Sequence, residues 1–190
     1  MSAPKPVVFL DRDGVINEPP GAERYIRRWE AFRFREGALR MLADLASMGY
    51  RLVVITNQQG VGKGLIEPDE LERIHANMSE VVERHGARID GIFCCPHLEA
   101  EGCDCRKPKP GLIFDALEAL DCEVDLNGSW FVGDSATDVQ AGQAAGLRTL
   151  LVGGPAGGAA HPSPTARVER VSEIALELRP SEQSTTRNNP

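Results

Sequence analysis

The residues best suited to chemistry in this chain are Asp11 and Asp13, within Asp11-Arg12-Asp13-Gly14-Val15. They follow Val7-Val8-Phe9-Leu10, an apolar run that reads as a short buried strand. Side chains two apart in extended chain point the same way, so the spacing predicts both carboxylates over one crevice. Open α/β sheets bind their ligands in such a crevice, outside the carboxyl ends of the strands. A carboxylate pair there can hold a divalent cation through hard oxygen ligands. One carboxylate can attack a phosphorus atom while the other moves a proton. Asp-Gly is also a common turn signal, and alone the segment fits a solvated turn as well.

Two later segments place similar groups at strand ends. Arg51-Leu52-Val53-Val54-Ile55 reads as a second buried strand, ending at Thr56-Asn57-Gln58-Gln59-Gly60, whose hydroxyl and amides can donate to phosphate oxygens. Ser129-Trp130-Phe131-Val132 reads as another, ending at Gly133-Asp134-Ser135-Ala136-Thr137-Asp138. Gly60-Val61-Gly62-Lys63-Gly64 superficially suggests a nucleotide-binding P-loop, but Asn57 stands where that motif needs its first glycine and Gly64 where it needs Ser or Thr. It reads as a mobile loop.

Cys95-Pro96-His97 followed by Cys103-Asp104-Cys105 gives the spacing C-x-H-x5-C-x-C. Three thiolates and an imidazole fit tetrahedral Zn²⁺ and leave no open position, so the expected site is structural rather than hydrolytic. Zinc supplies roughly 10–16 kcal/mol of apparent binding free energy in small peptides, enough to order a loop with almost no core. Chance clustering of reduced cysteines is the alternative. Cys94 is expected to point away from Cys95, into the core, because strand neighbours alternate. Cys122 reads as a plain thiol. Directly after the cluster, Arg106-Lys107-Pro108-Lys109-Pro110 forms a basic strip that a metal-held loop would fix in place.

The elements that must position these groups follow from periodicity. Leu39, Leu42, Leu45 and Ala46 predict a helix ending at Gly49. Pro68-Asp69-Glu70 opens another, with Leu71, Ile74, Met78, Val81 and Val82 as its apolar face; His75 and His85 read as surface residues. Gly91–Cys94 predicts a third strand, Gly111–Leu120 a helix, Val139–Ala145 a helix, Leu147–Val152 a fifth strand, and Val168–Leu178 a short strand and helix. Tyr25–Arg35 is unassigned, with a flap over the site or a surface hairpin as the two readings. Alternating strands and helices predict one α/β domain of three layers, Rossmann-like, with a mainly parallel sheet. The domain is expected to span residues 1–178, with 95–105 as the zinc loop, 153–164 as a Gly/Ala/Pro-rich loop and 179–190 as a disordered polar tail.

The chain has 190 residues and a formal net charge of −7. That predicts no nucleic-acid footprint, and an anionic substrate then needs local basic groups or a metal. No apolar run is long enough to span a membrane, and the first residues lack the apolar stretch of a secretory signal, so a cytoplasmic protein is expected. The oligomeric state is open, with a monomer slightly favoured.

Taken in order, Asp11-x-Asp13-Gly14, Thr56, a lysine and Gly133-Asp134-x-x-x-Asp138 resemble the motifs of the haloacid dehalogenase superfamily of phosphotransferases. More narrowly, DRDGVIN, TNQ, C-P-H, C-D-C-R-K-P and GDSATD resemble the D,D-heptose 1,7-bisphosphate phosphatases and the related histidinol-phosphate phosphatases, over roughly Val7 to Val152. The resemblance implies Asp11 as nucleophile, Asp13 as general acid and base, Thr56 as a donor to the phosphoryl group, and Lys107 as its counter-charge. It implies Mg²⁺ on Asp11, Asp134 and the Asp13 backbone carbonyl, with Asp138 orienting the site. It gives Arg106, Asn57, Gln58 and Gln59 to substrate recognition.

With no room for a folded cap, an open cleft selecting small phosphorylated sugars or polyols is expected. Ser135 stands where relatives often carry a basic residue, and the zinc loop is short. The functional expectation is removal of the 7-phosphate of D-glycero-D-manno-heptose 1,7-bisphosphate. Histidinol-phosphate hydrolysis is the alternative, and a non-catalytic zinc-stabilised binding module is the reading from a different class.

Overall fold

The computed structural model describes residues 3–21, 24–153 and 163–179. The expected tail, apart from Arg179, and most of the Gly/Ala/Pro-rich loop lie outside the described residues.

Strand β1 (Val7–Leu10) is four residues with no exposed surface, as its unbroken apolar sequence demands. A strand buried on both faces sits at the centre of a parallel sheet. It is flanked by β2 (Arg51–Asn57) and β4 (Trp130–Gly133), and the six strands among the described residues run in the order β3-β2-β1-β4-β5-β6. Strands β3 (Ile89–Cys95), β5 (Arg148–Val152) and β6 (Ala166–Val168) complete the sheet. Every pairing is parallel, so the sheet is more uniform than expected. The chain winds outward from β1 through β2 to β3, then restarts at β4 on the other side. The point where that order reverses lies between β1 and β4.

Side-chain alternation along the strands divides the core in two. Val8, Leu10, Leu52, Val54, Val132 and Leu150 pack against α1 (Ala38–Ser47), α2 (Pro68–Arg84) and α5 (Ile174–Glu177). Val7, Phe9, Val53, Ile55 and Phe131 face α3 (Gly111–Ala119) and α4 (Ala136–Ala144). Each fully buried side chain of this kind contributes about 1.5–3 kcal/mol of hydrophobic stabilisation. Helix α2 starts with Pro68 at its first turn, Asp69 and Glu70 beside the positive end of its dipole, and Arg84 in its last turn.

Tyr25–Arg35 holds one short 3₁₀ turn, Trp29–Ala31, and its end returns to the turn after β1, where Phe34 bridges antiparallel to Asn17. Its aromatics form an anchor: Trp29 stacks on Phe32 at 5.1 Å, Phe34 meets Phe32 edge-on at 5.1 Å, and Phe32 is buried in the core. The Gly60–Gly64 loop is tied down too, since the Gly62 N–H donates to the Pro96 carbonyl at 3.1 Å. A Cβ at Gly62 would lie 2.6 Å from that oxygen, so only glycine allows the approach.

Candidate active site

Strand β1 ends at Leu10, so alternation along a strand is not what brings Asp11 and Asp13 together. The chain turns at Arg12, whose carbonyl accepts from the N–H groups of Val15, Ile16 and Asn17. The Asp11 N–H donates to Val132 O at 2.9 Å, fixing this turn to the end of β4. Gly14 stands at φ +88°, and a Cβ there would lie 1.8 Å from Asp134 Oδ2. Glycine in Asp-x-Asp-Gly thus lets the β1 turn close onto the β4 aspartate.

Lys107 joins the ends of three strands. Its Nζ donates to Ile55 O at 2.9 Å and forms ion pairs with Asp11 Oδ1 at 2.8 Å and Asp138 Oδ1 at 2.6 Å, and the residue is 4 % exposed. Burial works against its charge, but Asp11 and then Asp138 outweigh that and raise its pKa above the usual lysine value. Asp138 uses its other oxygen on α4: Oδ2 accepts from Ser135 Oγ at 2.5 Å and from the Ser135 N–H at 3.1 Å. That capping box leaves Asp138 as a bracket for the lysine and the helix start. Gly133 permits it, because a Cβ there would fall 2.2 Å from Asp138 Cβ.

Burial raises the Asp11 pKa to about 8; Lys107 opposes the rise and Asp138 adds to it. Burial, with Asp138, pushes Asp134 up to about 6 against Lys107 and Arg35. Oxygens of Asp11, Asp134 and Asp138 lie within 4.8 Å of one another. Three carboxylates around one lysine have an excess of negative charge. A divalent cation on Asp11 and Asp134 fits that hard-oxygen donor set and would keep Asp11 ionised at neutral pH.

Asp13 has a different setting. Its Oδ1 accepts from Asn17 Nδ2 at 2.8 Å and Arg12 Nη2 at 3.0 Å, and its Oδ2 from Gln58 Nε2 at 2.9 Å. Burial would raise its pKa, yet Arg12, then Asn17 and Gln58, hold it below the ordinary aspartate value. Gln58 also donates to Thr56 Oγ1 at 2.9 Å, linking the β2 rim to the β1 turn.

Gln58 is buried, and Asn57 pairs with the main chain of Lys107 in both directions, at 3.1 and 3.2 Å. Both amides face protein groups. Gln59 is half-buried on the loop that follows. Arg106 lines a cavity of about 340 Å³ with Asn57, Cys103, Lys107, Pro108 and Thr137. A cavity of about 530 Å³ at Val168, Glu173 and Leu176 holds none of the motif residues.

The cysteine quartet is assembled. Cys105 Sγ lies 3.4 Å from Cys103 Sγ and 3.1 Å from His97 Nδ1; Cys95 Sγ lies 3.6 Å from Cys103 Sγ and 3.7 Å from His97 Nδ1. Ligands on a zinc at about 2.3 Å would stand about 3.8 Å apart, so the donors fit one tetrahedral ion. Cys95 is the fully buried member of its pair and Cys94 only half-buried, on the opposite face, which reverses the expected core assignment.

Three residues around Asp13 were not anticipated from the sequence: Asn17, Arg12 and His75. Arg12, between the two aspartates, has no exposed surface. His75 is half-buried rather than solvated: its Nε2 lies 3.1 Å from Arg12 Nη1. Burial, then the Arg12 charge, lowers its pKa to about 4, so the imidazole is neutral and accepts.

A sheet-rim aspartate paired to a buried lysine, beside two further aspartates at the point of strand reversal, defines a haloacid dehalogenase-type hydrolase. The HAD-hydrolase-like family model matches residues 104–174. The chain is 39% identical over 155 residues to the D-glycero-beta-D-manno-heptose-1,7-bisphosphate 7-phosphatase of Pasteurella multocida, covering 78% of this chain and 82% of that one. It is 40% identical to the enzyme of the same name from Vibrio cholerae, with 78% and 81% covered. Its fold matches the crystal structure of D,D-heptose 1,7-bisphosphate phosphatase from B. bronchiseptica complexed with magnesium and phosphate. The TM-score is 0.80 at 34% identity, covering 91% of this chain and 97% of that one. The chain belongs to this family of heptose bisphosphate phosphatases.

Proposed function

We propose that this chain removes the 7-phosphate of D-glycero-β-D-manno-heptose 1,7-bisphosphate through an aspartyl-phosphate on Asp11. The observation that carries the reading is the buried Asp11–Lys107–Asp138 ion-pair chain with Asp134 beside it.

Asp11 attacks phosphorus, and the bond from phosphorus to the sugar oxygen breaks. Asp13, which Arg12 holds ionised in the free site, takes up a proton as the phosphate anion binds beside it and gives that proton to the departing alkoxide. Asp13 then takes a proton from water, the water oxygen attacks the aspartyl-phosphate, and phosphate leaves with Asp11 restored. Thr56 donates to the phosphoryl oxygens, and Lys107 offsets the charge gathered there. Phosphoryl transfer needs mainly alignment and charge stabilisation, and these residues supply both. Magnesium on Asp11, Asp134 and the Asp13 carbonyl would neutralise phosphoryl charge so that the anionic nucleophile can approach.

Arg106 and Gln59 are the side chains left to recognise the rest of the sugar, while Asn57 and Gln58 hold Lys107 and Asp13. Zinc on Cys95, His97, Cys103 and Cys105 would fix the loop that delivers Arg106 and Lys107. The described helices include none long and apolar enough to cross a membrane, and a reducing cytoplasm suits the unpaired cysteines.

Phosphorus NMR on the bisphosphate with Mg²⁺ tests the reading. The C7 phosphate signal should convert to inorganic phosphate while the C1 signal persists. Faster turnover of histidinol phosphate, or loss of the C1 phosphate first, would overturn it.

A further inference from the structure

Asp13 is gripped by three side chains, Arg12 and Asn17 from its own turn and Gln58 from the end of β2, and two of them have their own anchors. Asn17 Nδ2 also donates to Glu18 O at 2.8 Å, and Gln58 Nε2 to Thr56 Oγ1 at 2.9 Å. The third, Arg12, makes the largest contact, with Nε at 3.3 Å and Nη2 at 3.0 Å from Oδ1 and Nη2 at 3.1 Å from Oδ2. An arginine has several rotatable bonds, and fixing it in one rotamer costs conformational entropy that contacts on its far side must offset. What lies on the far side is His75, carried on α2 and remote from every recognised motif.

We propose that His75 is a positioning residue for the acid–base step: its Nε2 accepts from Arg12 Nη1 and so fixes the guanidinium that aims Asp13. This rests on the phosphatase reading above. The neutral state of His75, set by burial and the Arg12 charge, is what makes Nε2 an acceptor. Removing the imidazole leaves a buried N–H of Arg12 without its acceptor, a situation that favours a new rotamer. Asp13 then keeps Asn17 and Gln58 but loses its bidentate partner. Helix α2 thereby joins the machinery, although none of its residues lines the cavity at Arg106 and Lys107.

The test compares His75→Ala with His75→Gln, whose amide oxygen can accept from Arg12. The readout is kcat/KM for an alkyl phosphate ester and for p-nitrophenyl phosphate. An alkyl leaving group needs the proton from Asp13, whereas p-nitrophenolate departs with little help. In His75→Ala, the alkyl ester should lose at least about tenfold more than the aryl ester, and His75→Gln should recover most of the difference. A role in packing alone would lower both substrates together, follow the loss in Tm and resist rescue, and that result overturns the proposal.

A second readout does not depend on turnover. The Arg12 Nε–H proton should exchange slowly in the wild type, quickly in His75→Ala and slowly again in His75→Gln. Unchanged Arg12 exchange in folded His75→Ala sinks the clamp even if the enzyme is active. A wild type that releases phosphate from no ester sinks the phosphatase reading, and the exchange result then judges the clamp separately.

Discussion

The rim of the sheet and the loop after β3 both bring polar groups within a few ångströms, by different means. At the rim, strand ends do the gathering: Asp11 leaves β1, Asp134 leaves β4, and Lys107 is held by Ile55 O at the end of β2. Their backbones are fixed by a buried core, so the donors are in place through packing. The loop from Cys95 to Cys105 has a single fully buried residue, Cys95, and one 3₁₀ turn, Glu99–Glu101. Its order comes from the side chains that converge on one another. A site on rigid strands keeps its geometry when a ligand leaves, whereas a loop built around its ligands depends on what they bind. The two regions meet at Arg106-Lys107, where the loop delivers the lysine that the rim requires.

Substitutions at the rim should cost activity far more than stability. Asp11→Asn should lower turnover by about 10⁵–10⁶-fold, the scale seen when a covalent nucleophile is removed. A modest decrease would mean that the rim is not where phosphorus is attacked. Lys107→Met should lower kcat by about 10²–10³-fold. Asp138→Asn should cost about 10–100-fold, since it weakens only the bracket around Lys107. Steady-state kinetics would order the three, and Asp138→Asn exceeding Lys107→Met would break the bracket account.

The loop should behave in the opposite way, with order affected first. Stripping the proposed zinc should lower Tm by several degrees for each lost kcal/mol or so. It should also blur the NMR signals of residues 95–107 while those of β1 and β4 stay sharp. Activity should fall because Lys107 loses its support, and Zn²⁺ rather than Mg²⁺ should restore it. Metal analysis that finds no tightly held zinc would remove this side of the comparison.

The smallest effect concerns protons. Without a cation, Asp11 keeps its proton up to about pH 8 and Asp134 up to about pH 6. Mg²⁺ must displace those protons, so its apparent affinity should climb as pH rises from 6 toward 8 and then level off. Because the folded pKa values are raised, the folded metal-free protein holds more protons than the unfolded chain. Its stability should therefore fall as pH rises from about 4 to about 8. Calorimetric titration of Mg²⁺ at several pH values, with thermal melts in a chelator, would check both signs.

Most of this rim was legible in the sequence because its residues sit at the ends of apolar runs that could only be strands. Asp11, Thr56 and Asp134 need no long-range knowledge to be found, and the cysteine spacing carries its own meaning. His75 was not legible. It is next to Ile74 and within one turn of Leu71 and Met78, so it flanks the buried stripe of α2, where a polar residue reads as solvated. Its partner stands 63 positions earlier, and no periodicity links the two. The hold of Asn57 on the main chain of Lys107 was hidden for a similar reason, since the two lie 50 positions apart. In Tyr25–Arg35 the four arginines obscured a stacked aromatic anchor, which follows from three-dimensional packing and not from spacing.

Capture of the covalent intermediate tests the central claim most directly. The enzyme would be mixed with Mg²⁺ and heptose bisphosphate, quenched in acid within milliseconds, and digested for mass spectrometry. A phosphate should appear on the peptide carrying Asp11, and be absent from Asp11→Asn. Phosphate on Asp13, Asp134 or a residue elsewhere, or release of product with no labelled peptide at any time point, would contradict the account.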